Sequence, residues 1–155
     1  MSRFTGWLTL THTQRRHAHR HTTGTGHVYQ GRFKSFPVQD DDHFYTVCRY
    51  VERNALRAKL VKRAEDWRWN SLHRWKYGTT KQKSLLAAWP LPRRAGWLKY
   101  VNAPQTDAEL EAIRRSVKRG CPFGDGTWSD KMVTKLGLES TLRLQGRPKK
   151  HINGS

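Results

Sequence analysis

The sequence predicts an α+β chain, and three observations lead there. Across residues 40–61 apolar side chains recur at helical spacing, with no Pro or Gly between His43 and Leu60. Across 27–38, Val28, Gln30, Arg32 and Lys34 alternate with Tyr29, Gly31, Phe33 and Ser35, as on a half-buried strand with a cationic face. Two further helical patterns, over 106–119 and 128–136, follow toward the C-terminal end.

Composition sets the class of partner. Of 155 residues, 30 are Lys or Arg and 12 are Asp or Glu, giving a net charge of +18. A chain this basic meets polyanions, with nucleic acid the default and an anionic membrane surface the weaker alternative. No acidic residue precedes Asp40 or follows Glu139, so both ends are basic arms. The 7 Trp and 11% aromatic content give more apolar mass than a disordered polybasic tail carries. A mean hydropathy of −0.89 still means a modest core. No apolar run approaches the roughly 20 residues that cross a bilayer, and the N-terminus lacks the apolar core of a signal peptide, so a cytoplasmic protein with no membrane partner is expected. Cys48 and Cys121 lack the C-x-x-C spacing of a zinc site and are read as reduced, with Cys48 in the core.

Taken in order, residues 4–21 read as a helix with an apolar start (Phe4, Trp7, Leu8, Leu10) and an Arg/His end that suits its dipole and offers charge to phosphate. His17 and His19 would point to different sides of that helix, which favours a solvated cationic surface over a metal site. Residues 22–26 form a turn by composition, and Gly31 in the strand that follows suggests a bulge or close backbone approach.

In the 40–61 helix, Asp41 and Asp42 offer N-cap oxygens, and Phe44, Val47, Cys48 and Val51 make the buried stripe. Thr46, Tyr50, Arg53, Asn54 and Arg57 fall on the opposite side, because residues three and four apart are neighbours on a helix. Tyr50 there has two readings. Its ring covers apolar surface while its hydroxyl reaches water, or it is a nucleophile that needs a base, positive charge or metal to act near neutrality. Arg53 and Arg57 supply charge for the second reading, and Asn54 supplies an oxygen for a hard cation.

Residues 78–104 contain Pro90, Pro92 and Pro104, yet Trp89, Trp97, Leu98 and Tyr100 are too apolar for a free linker, so this segment should pack along the preceding domain. Thr106 with Glu109 forms a capping box that opens a helix to Arg119, closed by Gly120 and Pro122. The next helix is capped by Thr127 with Asp130 and stopped by Gly137. The pair is either a helix-turn-helix reader or a plain helical hairpin. Residues 145–150, with Arg147, Lys149 and Lys150, resemble an AT-hook, and a charged solvated tail is the alternative.

The succession Gly26-His27-Val28-Tyr29-Gln30-Gly31-Arg32-Phe33-Lys34-Ser35, Tyr50-Val51-Glu52-Arg53-Asn54, Leu56-Arg57-Ala58, Val61, and Asp66-Trp67-Arg68-Trp69-Asn70-Ser71 resembles the REP-associated tyrosine transposases. These are single-tyrosine HUH transposases, which cut and rejoin single-stranded DNA. The resemblance implies the C-terminal part of a ferredoxin-like HUH transposase domain over 1–77, a packed connecting segment over 78–104, and a small helical, helix-turn-helix-like region with the AT-hook-like tail over 105–155. It makes Tyr50 the nucleophile that forms a 5′-phosphotyrosine, and Asn54 a metal ligand beside a histidine pair. It also implies Mg²⁺ or Mn²⁺ as cofactor and hairpin DNA as partner, with Arg32, Lys34, Arg53, Arg57, Arg147, Lys149 and Lys150 contacting DNA. The chain departs from the family pattern at Ala55, where Pro is common, and at Asn70, where Ser is usual. The family's His-hydrophobic-His strand would lie upstream of Met1, so a front-truncated transposase impaired in cleavage is expected, with dimerisation serving a free sheet edge and an unfilled core face. Three functions follow: a DNA-cleaving and joining enzyme, a non-catalytic DNA-binding module derived from one, or a structural or RNA-binding protein on a shared fold.

Overall fold

Helix formation starts almost at the N-terminus. In the computed structural model, residues 2–22, 28–29 and 34–143 are described, and the chain divides into two units, residues 1–35 and 36–155. In the first, α1 (Ser2–Arg20) ends in His17, His19 and Arg20, which oppose the negative pole of the helix. His21 then takes a left-handed conformation (φ 49), and the Thr22 amide donates back to the His17 carbonyl at 3.2 Å. Tyr29 hydrogen-bonds His12 Nδ1 at 2.7 Å.

The expected sheet is absent among the described residues. Among the described residues 61% are helix and 2% strand, and the one β-type pairing is an isolated parallel bridge between Val38 and Phe123. The α+β expectation, with its ferredoxin-like part, is therefore overturned. A strand persists only when a second strand takes its backbone groups, and the sequence supplies a single alternating stretch. Within it, residues 27 and 30–33 lie outside the described residues, Val28 and Tyr29 sit in a bend, and 34–37 are irregular. Alternating side chains suit any extended segment that lies on a surface.

In the second unit, the expected single helix over 40–61 is divided. α2 (Asp42–Glu52) is capped by Asp41, whose side chain accepts from the His43 amide. Arg53 joins it to α3 (Asn54–Arg57), and Lys59 in the left-handed region (φ 58) turns the chain before Val61. The buried stripe is also rotated from the expected one. Tyr45, Arg49, Glu52 and Ala55 are buried, while Val51 is 58% exposed.

The core gathers Tyr45, Ala64, Leu72, Trp97 and Val101, with Phe44, Cys48, Leu56, Trp89, Leu91, Leu98 and Tyr100 packed around it. Trp89 meets Trp97 edge to face at 5.1 Å, so the segment after residue 78 contributes much of the core. Truncating a buried Trp such as Trp97 costs about 3–5 kcal/mol. α4 (Ser71–Tyr77) is capped by Asn70, and Gly78 follows it, where any Cβ would strike the Arg74 carbonyl oxygen. α5 (Thr80–Lys83) and α6 (Trp97–Asn102) lead to α7 (Asp107–Arg119), which opens with the Thr106–Glu109 capping box and ends at Gly120 (φ 73). α8 (Gly126–Leu136) starts earlier than expected, capped by Asp125 instead of Thr127, and stops at Gly137. The link from α7 to α8 runs over 120–125, longer than a helix-turn-helix turn.

Candidate nucleic-acid interface

The inward face of α2 is polar where a core is normally apolar. Glu52, 2% exposed, accepts from Ser71 Oγ at 2.8 Å and from Trp97 Nε1 at 2.7 Å, and Arg93 lies 3.6 Å away. The Arg93 guanidinium in turn sits 3.7 Å from the Trp89 ring centroid and 4.4 Å from that of Trp75. A buried carboxylate survives only when such partners replace water.

Glu65, fully buried, is held by Arg63 at 2.8 Å, Lys76 at 3.1 Å and Asn102 at 2.7 Å. Burial alone would raise its pKa; hydrogen bonds from Asn102, its own backbone amide, Arg63 and Lys76 outweigh that and bring it down to about 2. Asn70 ties the two carboxylate regions, donating to the carbonyls of Glu52 (3.2 Å) and Ala64 (3.0 Å).

Two arginines of this helix cap another. Arg49 Nη2 donates to the carbonyls of Ala103 (2.9 Å) and Pro104 (2.7 Å), and Arg53 Nη1 donates to those of Val101 (3.0 Å) and Asn102 (2.5 Å). Val101 and Asn102 belong to the last turn of α6, whose carbonyls lack helical partners, and Ala103 and Pro104 follow it, so both cations sit at the pole that suits them. Burial, then the like charges of Arg49 and Arg57, push the Arg53 guanidinium below its ordinary pKa.

Tyr50, Asn54 and Arg57 are brought together on the other side, as the helical spacing predicts. The Arg57 guanidinium stacks 4.2 Å from the Tyr50 ring centroid, and its Nη2 donates to Asn54 Oδ1 at 2.7 Å. Arg57 Nη1 is out of contact with water and makes no hydrogen bond. No described residue hydrogen-bonds the Tyr50 hydroxyl. Beside Asn54 a cavity of about 190 Å³ is lined by Val51, Ala58, Trp67 and Asn70 among others. The result is a half-buried phenol, an exposed carboxamide and a half-buried guanidinium side by side.

Of the other residues expected to contact DNA, Lys34 is exposed in the first unit, and Arg53 is engaged with α6. Arg32, Arg147, Lys149 and Lys150 lie outside the described residues. The Tyr50 face does not fit a divalent cation. Asn54 Oδ1 is already occupied by a positive guanidinium, and among the described residues no three His, Cys, Asp or Glu side chains converge. His17 and His19 lie on α1, as expected for residues on different sides of a helix.

Sequence reasoning missed the buried Glu52 and Glu65 and the half-buried Arg93. The one available signal was the density of Trp around Arg93 in sequence. Cys48 is a free thiol; burial, with the nearby Glu52 charge, pushes its pKa up to about 12 against the lowering effect of Arg93. No described helix is long and apolar enough to cross a membrane. No family model, curated protein or solved structure matches the chain.

Proposed function

We propose that this chain binds single-stranded or hairpin DNA in the cytoplasm through the Tyr50–Asn54–Arg57 face, as a non-catalytic module derived from a REP-associated tyrosine transposase. The observation that carries the reading is the grouping itself: Arg57 stacks on the Tyr50 ring and bonds the exposed Asn54 amide, whereas Arg49 and Arg53 donate to backbone carbonyls far off in sequence. A guanidinium binds phosphate oxygens in a fork geometry, and an aromatic ring beside it accepts a base or sugar. The net charge of +18 supports the same class of partner and draws it in. A second copy of the chain fits the same reading, since dimerisation is common among such transposases.

A second reading keeps the family's chemistry, and the hydroxyl of Tyr50, free of described partners, favours it. In that reaction a Tyr50 Oη–P bond forms as the P–O3′ bond breaks, the phenol proton is lost and the 3′-oxygen gains one. The product is a 5′-phosphotyrosine that a second hydroxyl can reseal. The test is one experiment with two readouts. Labelled hairpin DNA is incubated with the protein and with Tyr50→Phe in the presence of Mg²⁺ or Mn²⁺, and each mixture is run on native and denaturing gels. The DNA-binding reading expects a native shift with no covalent band. A denaturing adduct lost in Tyr50→Phe would establish the enzyme instead, and no shift on either gel would end both.

A further inference from the structure

A second, separate cluster of exposed aromatic and cationic side chains lies one loop away from the Tyr50 face. Residues 67–70 divide between two cavities: Trp67 and Asn70 line the one beside Asn54, and Arg68 and Trp69 line another of about 240 Å³, with His73, Arg74, Tyr77 and Gly78. That volume is several times the roughly 30 Å³ share of one water molecule.

Its rings are unusually bare. Trp69 is 70% exposed and Tyr77 54%, although both are large enough to be worth burying. The Arg68 guanidinium lies 4.3 Å from the Trp69 ring centroid. Among the described residues neither Arg68 nor Arg74 has a carboxylate partner, whereas Lys76, on the same helix, is paired with Glu65. His73 Nδ1 lies 2.7 Å from the Glu65 carbonyl oxygen, which can only accept, so Nδ1 carries the proton. In the neutral ring Nε2 is then an acceptor, suited to an exocyclic amine of a nucleobase.

The cluster is also held still. Asn70 caps α4 at the His73 amide (2.7 Å) and anchors the loop to the Glu52 and Ala64 carbonyls. At the far end the Gly78 amide donates to the Arg74 carbonyl at 2.9 Å. An exposed aromatic ring flanked by cations without carboxylate partners is how proteins stack an unpaired base without reading its sequence.

We propose that this cleft is a base-stacking subsite for single-stranded DNA, in which a base lies on Trp69 while Arg68 and Arg74 hold the flanking phosphates. It rests on the DNA-binding reading and extends the strand's path from Asn54 across residues 67–70.

The test measures the affinity of the full chain for a short single strand and for the same strand with abasic positions, which keeps every phosphate. Stacking contributes about 1–3 kcal/mol per base, so the intact strand should bind at least about fivefold tighter. Trp69→Ala should abolish that preference, and Trp69→Phe should retain most of it. Because Trp69 is exposed, thermal melting of both variants should match the parent. Equal binding of intact and abasic strands by the parent, or a preference that survives Trp69→Ala, would overturn the subsite while leaving DNA binding standing. Failure of the parent to bind either strand, or Trp69-dependent binding of RNA in preference to DNA, would overturn both.

Discussion

On the inward side of α2 and the turn after it, charged groups bind distant parts of the chain, while on the outward side Arg57 engages near neighbours in sequence. Arg49 and Arg53 donate to four carbonyls at the end of α6, and Glu52 has Ser71, Trp97 and Arg93 around it. Arg57, one turn beyond Arg53, instead bonds Asn54 and stacks on the Tyr50 ring. The same residue type thus reaches across the fold at two positions and stays beside its own helical segment at the third. Counting arginines on a helix does not locate a binding face; where each spends its donors narrows it.

That contrast breaks first at Glu52. Glu52→Ala strands the Trp97 indole N–H, the Ser71 hydroxyl and the half-buried Arg93, and removing one partner of a buried ion pair costs about 3–5 kcal/mol. Urea unfolding should lose that much, enough to leave little native protein at 37 °C if the parent is only marginally stable. Tyr50→Phe on the opposite face should leave the midpoint unchanged.

The pH dependence comes next. The Glu65 pKa of about 2 lies below its ordinary 4.5, so the folded state favours the carboxylate. Its contribution is complete above about pH 5 and is lost as pH falls toward 2, amounting to about 3 kcal/mol. Glu65→Gln should flatten the acid limb of a stability profile between pH 5 and 2. A variant with the same acid limb as the parent would remove Glu65 from the account.

The arginines sharpen the comparison. Arg53→Ala should cost about 1–3 kcal/mol in stability, because it uncaps buried carbonyls, whereas Arg57→Ala should stay within about 0.5 kcal/mol. Smallest is a chemical effect. With its pKa at about 12, the Cys48 thiol should resist alkylation at pH 8 in the native protein and react once the protein is unfolded.

These contrasts also explain what the sequence could disclose. The capping box of Thr106 and Glu109 and the stops at Gly120 and Gly137 were legible because each depends on residues within one turn. So was the Tyr50–Asn54–Arg57 grouping, which needs only helical periodicity. Arg53 was not, because its acceptors lie 48 and 49 residues away in sequence. Glu52 and Glu65 were not, because a charged side chain reads as solvent-facing until its partners are known. Lys59 carries no signal for a left-handed turn, so the helix was drawn too long. The strand at 27–38 failed for another reason: alternation shows that two faces differ, and only a partner strand makes a sheet.

The most direct test of the central claim is the salt dependence of hairpin-DNA affinity for the parent, Arg57→Ala and Arg53→Lys, each first shown to be folded. If the outward face holds the phosphates, Arg57→Ala should weaken binding and make the slope of log affinity against log salt shallower by about 0.7, the value for one phosphate contact on a single strand. Arg53→Lys, which keeps its charge next to α6, should leave the slope unchanged. An Arg57→Ala variant with the parent's affinity and slope would contradict the assignment of this face to DNA.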